Sequence, residues 1–423
     1  MPLKTASRTW VVGLLVLLSV MTYLDRILIS IAGPGIMREF SLSATQMGMC
    51  YTAYLTAYAL VMIPGGSLTD RLGPRLTLAM MALGSALFTG LTALAGKPGL
   101  GSFTGVIPSF VIVRMAMGIC AAPTYPAIAR MNANWMPVSE RARVWGWVAC
   151  GAGIGGACSP LFFSRISASW GWRGAFCVAA VASAVLGLIW FRFVRDYPAE
   201  DASGTARDLT PAATPWKELL TNRDLMLLTA GYFTVNYFEY IFFFWLYYYF
   251  GQIRHMGENE SAIYTTLMWM SWVIMTPVGG WASDRLMTRY GRNGARRLVI
   301  ITGLTLSVIL VYIGTNVTGT FATVTLLCLS LGFASSSDGP YWAAAIDAGG
   351  RHSGVAGGIF NTGANLGGLI APVLTPWIAA RAGWSWGLYV GGLIVLAGVV
   401  ALFFIEGTSP VGPRVESSRH AVL

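Results

Sequence analysis

Charged side chains are scarce in this chain. Only 11% of its 423 residues are Asp, Glu, Lys or Arg, whereas soluble domains carry about a quarter, so a water-solvated globular surface of this size is excluded. Histidine is scarcer still. The three, His255, His352 and His420, fall in loops and in the tail, and none sits in a metal-ligand cluster. The six cysteines lie inside apolar segments without metal-like spacing; they are expected as small buried residues, with no disulfide framework. No Walker-type phosphate loop occurs, no nucleophile–base pair is visible, and no soluble catalytic or signalling domain is attached. ATP drive and enzyme chemistry are therefore set aside, and no cofactor or metal is expected.

What the chain has in quantity is apolar length. Hydrophobic residues make up 55% of it and glycines number 50; glycine is common in membrane helices because it lets backbones approach closely. Runs long enough to span a bilayer recur twelve times, at roughly 10–32, 46–68, 76–95, 105–130, 142–166, 174–195, 224–250, 261–283, 297–315, 320–345, 353–379 and 385–406. The start, MPLKTASRTW, imitates a secretory signal, but no small-residue cleavage site follows, and it reads as the entry to a first span. One long polar stretch, Arg195 to Asp224, divides the spans six and six and suits a flexible linker with a short surface helix at PWKELL. The expected fold is an all-α membrane protein of twelve transmembrane helices in two pseudo-symmetric six-helix bundles. Its N-terminal bundle is 1–195, its cytoplasmic linker 196–223 and its C-terminal bundle 224–423.

The halves repeat. Gly146, Gly151, Ala152, Gly155, Gly156 and Pro160 match Gly358, Gly363, Ala364, Gly367, Gly368 and Pro372 at a constant offset, and PGGSLTDR (Pro64–Arg71) echoes VGGWASDR (Val278–Arg285). Such a layout suits a transporter with its site between the halves at mid-bilayer. Of the 28 lysines and arginines, Arg26 and Arg114 fall inside predicted spans, Arg38, Lys97, Arg165, Arg173, Arg254 and Arg381 on one side, and the other 20 on the opposite side. The rich side is expected to be cytoplasmic, with both termini there, in a cell inner (plasma) membrane. Topology thus accounts for the net charge of +10, and no nucleic-acid partner is needed.

GGSLTDRLGPR (Gly65–Arg75), with a degenerate copy at GGWASDRLMTRYGR (Gly279–Arg292), lies at the turn after the second span of each half. It resembles the signature loop of the major facilitator superfamily, and that resemblance covers the whole chain. It implies a gate in which Asp70, Arg71 and Arg75, with Asp284 and Arg285, belong to a charge network closing the cytoplasmic side. Three further stretches, TYLDRILISIAGPGI (Thr22–Ile36), YALVMIPGG (Tyr58–Gly66) and GVAGGIFNTGANLGG (Gly354–Gly368), resemble the anion:cation symporter family of sugar-acid carriers.

Arg26 and Asp25 stand side by side in an apolar span. On a helix Tyr23, Arg26 and Ser30 share one face, while Asp25 points about 100° away. A charge at this depth needs a partner or water. Arg26 is expected to face an aqueous cavity and grip a substrate carboxylate through its fork of donors. Asp25 is expected to pair with Arg114 on the fourth span; the alternative is that the charges only pin helices together. The resemblance implies that protonating Asp25 loosens that pair and links proton uptake to reorientation. It also matches Tyr58, Asn361 and Trp342 to substrate-facing positions. The family's fourth span places a glutamate where this chain has Ala121. Glu239, on one face with Asn236, Tyr240 and Phe243, either supplies the missing titratable group, binds a cationic part of the substrate, or sits solvated at the outer mouth. Tyr54, in a stripe with Tyr51 and Tyr58, is a further substrate candidate, and Asp338 reads as cavity-lining or helix-breaking.

The function expected from these features is a proton-coupled symporter of a small organic anion, a sugar acid or related carboxylate, acting as a monomer in the lipid bilayer. The alternative is a carrier of another class, such as an amino acid or dicarboxylate exchanger or an exporter of amphipathic compounds.

Overall fold

The computed structural model describes residues 3–97, 105–136, 138–198, 216–349 and 353–405, apart from a few side chains, that of Asp70 among them. The described residues form helices and no strands. α1 is Leu3–Phe40, α2 Ala44–Leu72 and α3 Pro74–Thr92. α4 comes in two segments, Val106–Ala121 and Thr124–Trp135. The helical stretch Val138–Phe193 is kinked at Gly171 into α5 (138–170) and α6 (172–193). A short helix, Trp216–Thr221, precedes α7, Arg223–Tyr248, which ends in a π-helical turn at Tyr249–Ile253. Glu258–Asn316 is kinked at Gly291 into α8 (258–290) and α9 (292–316). α10 is again in two segments, Thr320–Ser335 and Asp338–Gly349; α11 is Ser353–Ala382 and α12 Trp384–Leu402.

Eight stretches of the described residues are long and apolar enough to cross a membrane. Two of them contain the kink glycines, whose φ of 67° and 68° is open to a residue without Cβ, and each divides there into two spans. α2 and α7 are 29 and 26 residues long but carry tyrosines and polar groups that lower their hydropathy. With these the twelve spans are complete. The basic stretch after the eighth span is helical up to Gly291, where a loop was expected. The chain is a multi-pass all-α membrane protein.

Close backbone contacts show the internal repeat in three dimensions. A Cβ added at Gly155 of α5 would lie 2.2 Å from the Val20 carbonyl oxygen of α1, and one at Gly367 of α11 would lie 2.2 Å from that of Phe233 in α7. These are matching glycines against matching helices, so each half is built round the same tight crossing. α4 and α10 break at corresponding places, Ala122–Pro123 and Ser336–Ser337. α1 and α7 lead into Ser41 (φ 54°) and His255 (φ 56°), which also correspond.

The halves meet along two seams. In one, Thr266 of α8 donates to the Ala157 carbonyl of α5 at 2.8 Å. In the other, Thr52 of α2 donates to the Leu369 carbonyl of α11 at 2.9 Å.

Candidate functional site: a central cavity

Between the halves lies a cavity of about 560 Å³, lined from α1, α2, α4 and α5 on one side and α7, α8, α10 and α11 on the other. Its charged lining residues are Arg26, Glu239 and Asp338. The lining reaches Tyr125, Trp145, Thr276 and Trp342, on the stretches of their helices nearer the side where α1 begins, so the cavity extends from mid-span toward that side. On the opposite side the halves are shut. Tyr51 of α2 stacks on Phe244 of α7 with ring centroids 5.1 Å apart and lies edge-on to Trp245 at 5.3 Å, and Arg38 pairs with Glu258 at 3.4 Å.

Arg26 projects into the cavity as expected from its place on the polar face of α1. Its guanidinium donates to the Tyr240 hydroxyl of the opposite half, and its central carbon lies 5.4 Å from the Tyr23 ring, 5.6 Å from Tyr54, 5.9 Å from Tyr58 and 5.4 Å from Tyr240. Ring faces attract a cation at these distances. No carboxylate of the described residues lies within ion-pair distance of it. A polar chain continues from Tyr240 to Asn365, 3.3 Å, and from Asn365 to the Asn361 carbonyl, 2.8 Å. Tyr23, Tyr58, Asn361 and Trp342 all line the cavity with Arg26.

Two expectations are corrected. Asp25 and Arg114 interact electrostatically but make no direct hydrogen bond or ion pair. Asp25 turns away from the cavity toward α3 and α6, where Ser183 donates to its Oδ2 at 2.7 Å and Oδ1 is left without a partner. Arg114 is fully buried and donates to the backbone carbonyl of Arg26 at 3.2 Å and to the Met117 sulfur. The helical angle fixed Asp25's direction, but its hydrogen-bonding neighbour in that direction is on α6. Tyr54 does not line the cavity. It stacks on Tyr58 at 5.9 Å, and its ring lies 5.0 Å from the Arg114 guanidinium and 5.6 Å from that of Arg26, between the two arginines.

Glu239 is not solvated at an outer mouth. It is 3% exposed, faces the cavity, and accepts from the Trp272 indole N–H at 3.0 Å. Asp338 begins the second segment of α10 and also faces the cavity, with Oδ1 unpartnered. Ala121, which stands where a glutamate was expected by resemblance, is buried at the end of the first segment of α4.

The gate residues lie apart. The Asp70 side chain is outside the described residues. Arg71 is exposed. Arg75 donates to the Phe191 carbonyl at 2.7 Å and its backbone N–H to Asp196 at 2.8 Å, tying the α2–α3 turn to the end of α6 within one half. Asp284 and Arg285 are exposed and form no ion pair among the described residues. A further engaged acid in this region is Asp347, held by Arg296 at 2.7 Å and Arg292 at 3.3 Å, which sequence reading missed because both partners lie more than fifty residues away in the chain.

Two matching bundles around a mid-span cavity that holds a few charged groups in a largely apolar wall, shut on one face, define a membrane transporter. The chain belongs to the Major Facilitator Superfamily, whose family model matches residues 15–362 and 291–422, and to its anion:cation symporter-like branch. It is 30% identical to the "Probable sulfoacetate transporter" of Cupriavidus necator, over 99% of both chains, and 30% identical to the "Hexuronate transporter" of Bacillus subtilis, over 96% of this chain and 97% of that one. Among solved structures it is similar in fold to a bacterial homolog of the human lysosomal transporter Spinster in an inward-facing, occupied conformation. That likeness has a TM-score of 0.78 at 16% identity and covers 95% of this chain and 97% of the other. A D-xylose–proton symporter gives a TM-score of 0.73 at 17% identity, over 95% and 97% of the two chains. The protein is a transporter, not an enzyme.

Proposed function

We infer that the protein carries a small organic anion, a sugar acid or related carboxylate, across the cell's inner membrane in symport with protons, by alternating exposure of the central cavity. One observation carries this reading: the Arg26 guanidinium faces the cavity, ringed by tyrosines, with no carboxylate of the described residues within ion-pair distance. A buried cation without a protein anion is a ready receptor for an external one, and a guanidinium accepts a carboxylate or sulfonate through two parallel hydrogen bonds. The names of the relatives, sulfoacetate and hexuronate carriers, agree with such cargo.

The proton in this scheme rides on Asp25. It neighbours Arg26 in sequence, and Arg114 ties the two regions together by holding the Arg26 carbonyl. Protonation would change the bond to Ser183 and so the packing of α1 against α6. The cavity side is cytoplasmic in this reading, and Asp70, Arg71, Asp284 and Arg285 come together when that side closes. Uptake of labelled hexuronate and sulfoacetate into proteoliposomes, with and without an inward proton gradient, tests it. Stimulated uptake that is lost in Arg26→Ala is the expected outcome. Equal binding by the variant overturns the assigned site.

A further inference from the structure

The cavity has two electrical ends. Arg26 stands on the N-terminal half. Glu239 and Asp338 stand across from it on α7 and α10, 3% and 5% exposed, and both face the cavity. No cationic side chain of the described residues lies within ion-pair distance of either acid. Glu239 has one indole N–H at 3.0 Å, and Asp338 has a hydrogen bond with Tyr232 while its Oδ1 has no partner. Buried carboxylates require a compensating cation or a proton. Around them the wall is aromatic: Tyr232, Phe243, Trp272 and Trp342, with Phe243 edge-on to Trp272 at 6.1 Å.

Resting on the reading of Arg26 as the anion grip, we propose that the cargo is amphoteric: a carboxylate whose other end carries a cationic nitrogen, held by Glu239 and Asp338 within the aromatic wall. Acids beside several ring faces form a receptor for an alkylated ammonium, because the carboxylates supply charge and the rings supply quadrupole attraction. A proton on each acid would also remove the charge. The placement favours a cargo cation, since Glu239 and Asp338 face the cavity whereas Asp25 is turned into helix packing. A polyhydroxylated acid would meet amides and hydroxyls on the Asn361 and Asn365 side and leave the two carboxylates to be neutralised by protons, whereas an amphoteric cargo brings the counter-charge itself.

The test uses purified full-length protein and a matched series: trimethylammonio-acetate, -propanoate and -butanoate, their tert-butyl carbon isosteres, and glucuronate. Binding is read by thermal-shift titration and calorimetry for the parent, Glu239→Gln, Asp338→Asn, the double variant and Arg26→Ala. We expect at least one betaine to bind tenfold or more tightly than its carbon isostere. That preference falls to near unity in the double variant and partly in each single variant, while affinity for the isostere holds. Either isosteric single variant serves if the double variant fails to fold. The inference is overturned, with the anion reading intact, if glucuronate binds through Arg26 while no betaine outbinds its isostere. It is equally overturned if the preference survives removal of both acids, or if those variants alter only the pH dependence of uptake. Binding of any carboxylate that is unchanged in Arg26→Ala overturns the underlying reading as well.

Discussion

Replacing Gly48 by alanine should prise apart the closed face of the transporter. A Cβ at Gly48 in α2 would sit 2.0 Å from the Pro372 carbonyl oxygen in α11, 2.8 Å from its carbon and 3.2 Å from Val373 Cα. Ordinary contact starts at 3.4 Å, so relief from 2.0 Å requires the seam to open by about 1.4 Å. The obstacle is backbone, which cannot swing aside as a side chain would. Overpacking of this kind costs about 1–3 kcal/mol, here charged only to the state in which the seam is closed. The equilibrium then moves by roughly 5- to 150-fold toward states with that face open. Spin labels at Thr45 and Asn259, on the two halves at that face, would report the change as a longer distance by electron–electron resonance, in a background with the six native cysteines replaced. Uptake should fall in parallel, because the cycle needs both states. A distance distribution identical to the parent's, in a folded protein that transports at the parent rate, refutes the assignment of this seam as the closure.

Other outcomes follow from the site and the packing. Arg26→Lys keeps the charge but loses the planar fork; a charge-assisted bond is worth about 1.5–3 kcal/mol, so anion affinity in a thermal-shift titration should drop roughly ten- to hundredfold. Asp25→Asn should abolish stimulation of uptake by an inward proton gradient while counterflow exchange of labelled anion persists; retained stimulation excludes Asp25 as the proton site. Gly155→Ala and Gly367→Ala, each placing a Cβ 2.2 Å from a backbone oxygen inside one half, should lower the melting temperature by similar amounts, about 1–3 kcal/mol of destabilisation each. Unequal losses would show that the two crossings differ energetically despite matching geometry.

The span pattern, the division into halves and the place of Arg26 were legible because each depends on local periodicity: hydropathy over a bilayer's thickness, glycines at repeated offsets, and polar residues at helical spacing. What depends on which helix stands beside which was not. The angle between Asp25 and Arg26 was right, yet the partner of Asp25 is Ser183, 158 positions away, and nothing in the sequence marks that serine. The stripe of Tyr51, Tyr54 and Tyr58 is real, but the helix crossing turns Tyr51 to the seam, Tyr54 between two arginines and only Tyr58 to the cavity. Asp347 escaped notice for the same reason, its partner Arg296 being 51 residues distant. Glu239 was found as an anomaly of composition, a carboxylate in an aromatic helix, and its orientation needed the neighbouring α8 indole.

The four tyrosine rings around Arg26 bear on speed as well as affinity. Had an internal acid neutralised that guanidinium, every arriving anion would first have to evict a covalently tethered rival at very high effective concentration. Ring faces and one hydroxyl compete far less strongly, yet they give the unloaded carrier enough comfort to keep its cation in the bilayer during the empty return.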